Sequence, residues 1–149
     1  MNPIVRNVLA VIAGFVAASV VNMAIIKGSN YVVPPPPGAD MTTAEGIRAA
    51  MPRMTPIHYL MPFLAHALGT LVGAFAAAAI AATRKMTLAL VLGGIFLLGG
   101  IVAVSMIGGP LWFIACDLVL AYIPMAWLGG RLGTSMTGRT GLSPAVASH

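Results

Sequence analysis

Between His58 and Ala82 the chain runs HYLMPFLAHALGTLVGAFAAAAIAA, twenty-five residues without a formal charge. At 1.5 Å per residue such a helix crosses a hydrocarbon core of about 30 Å with some tilt. In lipid every backbone polar group must be satisfied within the segment, which leaves the transmembrane helix as the fold of this stretch. At 100° per residue, Pro62, His66, Gly69, Thr70, Gly73 and Ala77 share a narrow face, with Leu64, Leu68, Leu71 and Phe75 opposite. The first face is expected to meet other helices and the second to meet lipid. The small-residue row Ala65, Gly69, Gly73, Ala77 and Ala81 would admit a second backbone at close range, the usual basis of helix association in membranes.

The remaining sequence repeats this character. Of 149 residues, 59% are hydrophobic and 7% charged, and the mean hydropathy is +0.97; soluble domains carry about 25% charged residues. The expected fold class is therefore all-α, a polytopic membrane protein with four spans at about 4–26, 58–82, 87–107 and 111–128. These form one domain, residues 1–133, followed by a tail, 134–149, whose turn-rich and aperiodic sequence reads as disordered. The first span is too long for a secretory h-region and is not followed by a small-x-small cleavage site, so it reads as an uncleaved anchor. It has its own small-residue row, Ala10, Gly14 and Ala18, which Asn22 continues.

The only long connection, 28–55, contains Gly28, Ser29 and Asn30, which are expected to stop the first helix, and then four prolines, Pro34 to Pro37. These read as a stiff polyproline-II spacer, or alternatively as a recognition ligand for an SH3-type or WW-type domain. Thr42 and Glu45 have capping-box spacing before Ala44, Ile47 and Met51, so a short amphipathic surface helix is expected there. Thr55 and Pro56 open the second span as N-cap and first-turn proline, and Pro110 is expected to do the same for the fourth.

The net charge of +5 does not indicate nucleic-acid binding, because the eight Lys and Arg residues are spread along the chain at span edges. Arg6, Arg84, Lys85, Arg131 and Arg139 fall on one side of a four-span topology, and Lys27, Arg48 and Arg53 fall on the other with Asp40 and Glu45. The positive-inside rule then places both termini in the cytoplasm. The single cysteine, Cys116, excludes an intrachain disulfide, and no cofactor or metal motif is present.

Two ionisable side chains lie well within spans, His66 on the second and Asp117 on the fourth. Counted from the prolines that open those helices, their depths are roughly 15 Å and 10 Å, so the two are expected to meet in the bundle interior as an intramembrane polar pair. Ser19, Asn22, Thr70 and Ser105 lie at similar levels and are candidate pocket residues. The other half of the membrane has almost no polar side chain, which points to a pocket and away from a continuous pore. The bland reading of each is interhelical hydrogen bonding, and the glycines read as packing positions. No catalytic residues are assigned, since neither HExxH nor G-x-S-x-G nor a phosphate loop occurs.

The PPPPG loop, the short basic turn after the alanine-rich second span, the paired glycines of the third span and the GPLWF start of the fourth resemble, over most of residues 5–132, a group of uncharacterised small bacterial inner-membrane proteins. The resemblance implies four spans and a bacterial inner membrane; it implies no substrate or active residue. The expected function is a structural or accessory membrane protein that self-associates or docks on a larger membrane complex. The alternative is a small oligomeric transporter or channel for protons, cations or a small solute. The expected partners are the lipid bilayer and either further copies of the chain or that complex.

Overall fold

The computed structural model describes residues 1–139. Among them there are no strands, and four helical stretches are long and apolar enough to span a membrane. These are α1 (Pro3–Val32), α3 (Pro56–Ile80), α4 (Lys85–Ile107) and the pair α5 (Leu111–Leu120) and α6 (Ile123–Arg139), which together supply the fourth stretch. A short helix, α2 (Ala44–Ala50), lies in the first loop and continues into a 3-10 turn, Met51–Arg53. The four stretches alternate in direction, and α3 is central: it packs against α1, α4, α5 and α6. In its apolar stretch 44% of residues are buried, against 17%, 17% and 22% in the other three.

Small residues determine which helices touch. Ala10, Gly14 and Ala18 on α1 are buried, as are Ala65, Gly69, Gly73 and Ala77 on α3 and Ala81 just after it. The two rows face each other. A Cβ at Gly14 would lie 2.6 Å from the Gly73 carbonyl oxygen, and one at Gly69 would lie 3.0 Å from that of Ala18. Both rows are thus used in one intramolecular contact, and neither is left over to pair protomers.

Leu71 and Phe75, expected on the lipid face of α3, are instead half-buried, with α6 packed against their backbone. Gly129 sits against the Leu71 carbonyl and the Phe75 amide nitrogen, and a Cβ at Gly133 would lie 2.5 Å from the Phe75 carbonyl oxygen. Here too the four-residue spacing removes side chains where two backbones meet.

Several boundaries differ from the sequence reading. The first helix runs through Gly28, Ser29 and Asn30 to Val32; the Val33 N–H still bonds to the Ser29 carbonyl, and only Pro34, which lacks an N–H, ends the pattern. The proline run is not a straight strut. Ala39 N–H bonds back to the Pro36 carbonyl at 3.0 Å, Gly38 supplies a φ of +73°, and Arg53 donates to the Pro37 carbonyl at 2.8 Å, so the loop folds onto the surface helix.

Thr43, not Thr42, caps α2, accepting from the Gly46 N–H. Thr42 and Thr43 donate to Asp40, and these bonds hold its carboxyl below the usual range. Pro110 is the N-cap of α5 and not its first residue. The last helix continues to Arg139, so residues 134–139 are helical where a disordered tail was expected, and 140–149 lie outside the described residues.

The bundle is fastened at both ends. Asn7 accepts from the N–H groups of Ala82 and Thr83 and donates to the Thr83 hydroxyl, while Arg6 donates to the Ile80 carbonyl. The start of α1 thereby satisfies the turn between α3 and α4. At the opposite end Tyr59 meets Trp112 and Phe113, with ring centroids 5.6 and 5.0 Å away.

Candidate functional site

Pro124 creates the site by interrupting the fourth long apolar stretch, between α5 and α6. It cannot donate to the Leu120 carbonyl and its ring crowds that turn, so the helix breaks at Ala121–Tyr122. Asp117 lies in the last turn of α5 and Tyr122 in the break itself. In a continuous helix, positions five apart diverge by about 140°. Across the break Tyr122 turns back, and its hydroxyl donates to Asp117 Oδ2 at 3.2 Å.

His66 reaches the same carboxyl group from α3, its Nδ1 lying 2.9 Å from Oδ1 and 3.0 Å from Oδ2. The imidazole also stacks on the Tyr122 ring, with centroids 5.7 Å apart. Asp117 is 2% exposed and Tyr122 is 3% exposed, while the His66 side chain keeps 28% exposure. The carboxyl group is fully enclosed, and the imidazole is the member of the triad with an accessible edge.

That edge faces a partly open cavity of about 280 Å³ between α1, α3 and α4. Ser19, Asn22, His66 and Thr70 supply polar groups, and Phe96 and Tyr122 supply aromatic walls. Three of the four candidate pocket residues therefore line it. Ser19 spends its hydroxyl on the Phe15 carbonyl at 2.9 Å, whereas Asn22 makes no side-chain hydrogen bond among the described residues. The fourth candidate, Ser105, is not part of the site: it is exposed on α4 and donates to the Val102 carbonyl of its own helix.

Gly100 explains how Tyr122 fits, since a Cβ there would lie 2.5 Å from the tyrosine oxygen. One turn inward, Phe15 stacks on Phe96 at 5.2 Å and closes the gap between α1 and α4.

The sequence pairing of His66 with Asp117 is present, and the residue that sequence reasoning missed is Tyr122. Its signal was Pro124, two residues downstream, which implied a break but not the direction of the turn. Chemically the triad is a buried carboxyl group with two hydrogen-bonding partners, one of which can relay a polar interaction to the cavity. Among the described residues no group of three His, Cys, Asp or Glu side chains comes together in a metal-binding cluster. Cys116, next to Asp117 in sequence, is exposed. No family model matches the chain, and neither does any curated protein or solved structure.

Proposed function

We propose that this chain is an accessory protein of a bacterial inner membrane, a four-span unit that acts by docking on a larger membrane complex or on copies of itself. The observation that carries the reading is the contrast between the halves of the bundle. Among the described residues the cavity in the half that holds the triad has four polar lining residues, Ser19, Asn22, His66 and Thr70, whereas a cavity at the other end, beside Ile4, Val8, Val11, Ile12 and Leu88, has Asn7 as its one polar lining residue, and Gly14, Gly73, Leu92 and the Phe15–Phe96 stack lie between the two. The described residues therefore supply no continuous polar lining from one side to the other. The outward faces of α1 and α4, with Val8, Ile12, Val16, Val91, Leu98 and Val102 exposed, are broad enough to receive another membrane helix.

The charge distribution favours cytoplasmic termini. Arg6, Arg84 and Lys85 gather at the end where α1 begins and α3 gives way to α4, and Arg131 lies near the end of the last crossing. Purification of a tagged chain at native abundance should yield a stoichiometric partner or a homo-oligomer. A monodisperse monomer without a partner, in mild detergent and in nanodiscs, would refute the reading.

A transport function has one observation in its favour, the Asp117–His66 contact in the membrane interior. On that reading purified protein alone conducts ions into liposomes, and Asp117→Asn abolishes the flux without loss of fold.

A further inference from the structure

The cavity beside His66 has no role in a purely architectural triad. We propose that it binds the headgroup of an uncharged, membrane-soluble carbonyl compound of the quinone class, which enters from the bilayer between α1 and α4 and accepts a hydrogen bond from His66 Nε2–H.

The donor follows from counting protons. The hydrocarbon interior disfavours net charge, and a neutral His–Asp pair has two proton arrangements: imidazolium facing carboxylate, or imidazole accepting at Nδ1 from a carboxylic acid. Since Nδ1 is the atom engaged by Asp117, Nε2 carries a hydrogen in both. The exposed part of the ring therefore offers the cavity a donor, and the complementary ligand is an acceptor. A second polar group awaits it in Asn22, whose carboxamide lines the same cavity without an intramolecular partner among the described residues. An unpaired amide in hydrocarbon is costly unless something bonds to it.

Shape and depth narrow the class. The volume of about 280 Å³ lies just below the usual range of ligand pockets, about 300–1,000 Å³, which suits one ring beside the Phe96 and Tyr122 side chains and not a large headgroup. The mouth is on the lipid side, where Met23 and Gly99 are exposed, so a tail can stay in the bilayer. His66 is ten residues into α3, about 15 Å at 1.5 Å per residue, near the middle of an apolar core of about 30 Å. Ester carbonyls held at the headgroup level do not reach that depth, and a carboxylate would bring an uncompensated charge. A neutral ring that dissolves in hydrocarbon does reach it. This inference stands apart from the accessory reading and is tested without any protein partner.

The experiment uses the full chain in nanodiscs with decylubiquinone as probe, read by titration calorimetry and by the ¹⁵N resonance of His66 Nε2. Saturable one-to-one binding and a shifted Nε2 resonance are expected. Gly99→Leu, at a position where an added Cβ meets nothing within 4 Å, should fill the cavity, weaken binding at least tenfold and leave the unfolding temperature unchanged. His66→Phe should also weaken binding at least tenfold. The proposal is overturned if the parent shows no saturable binding, if Gly99→Leu binds as well as the parent, if decylbenzene binds as tightly as the quinone, or if oleate binds more tightly than either.

Discussion

Gly73 and Gly94 lie in the interiors of adjacent helices and should answer the same substitution with opposite sign. A Cβ on Gly73 would lie 2.6 Å from the Ala18 Cβ and 2.6 Å from the Gly14 carbonyl oxygen, and 3.2 Å from Leu92 Cδ2. Ordinary contact begins at 3.4 Å, so α1 and α3 must separate by about 0.8 Å (3.4 − 2.6) in Gly73→Ala. Contacts from two successive turns of α1 converge on this one position, so rolling the helix does not relieve the clash. Overpacking of this kind costs about 1–3 kcal/mol.

At Gly94 nothing lies within 4 Å, and Ala gains about 0.5–1 kcal/mol from backbone entropy alone. The two variants should therefore differ by about 1.5–4 kcal/mol, more than tenfold in the unfolding constant. Reversible unfolding of each in mixed detergent–lipid micelles, followed by circular dichroism, measures the difference. If Gly73→Ala is as stable as Gly94→Ala, the close α1–α3 contact is wrong, and with it the central position of α3.

The triad should tolerate a change of charge better than a loss of polarity. Asp117→Asn keeps an acceptor for Tyr122 and a partner for His66 and should unfold within about 1 kcal/mol of the parent, whereas Asp117→Leu strands both groups at about 1–3 kcal/mol each, in the same micelle assay. At the other end, Asn7→Ala removes the acceptor shared by the Ala82 and Thr83 N–H groups; a loss of about 1–3 kcal/mol is expected, with hydrogen exchange at those two amides accelerated while that of α4 is unchanged.

What could be read from the sequence and what could not differ in the range of the interaction. The central helix was legible because a charge-free run with small residues every fourth position carries its own periodicity, and His66 and Asp117 were legible because depth in a membrane can be counted from a helix start. Gly129 and Gly133 have the same spacing but follow the point where hydropathy falls. They fell beyond the fourth span as read, about 111–128, because the polar end of such a helix is set by packing on its neighbour, here Leu71 and Phe75, and not by transfer into lipid. Asn7 gave no signal at all: one polar residue near a helix start is ordinary, and its partners are about 75 residues away along the chain. Tyr122 depends on the direction in which a broken helix turns, which no periodicity encodes.

The pairing of α1 with α3 also sets an order of assembly. Gly14 and Ala18 meet Gly69 and Gly73, and Asn7 meets the turn after Ile80, so α1 finds its partner in the next long apolar helix, α3, and not in the short α2 that directly follows it. Until α3 has been made, the alanine and glycine face of α1 lacks the surface that covers it, although a helix whose backbone is internally bonded is already satisfied in an apolar medium. The α1–α3 contact can form only once α3 is present, and the clasp at Asn7 closes after it, when residues 82 and 83 follow. The long proline-containing loop supplies the slack for that wait.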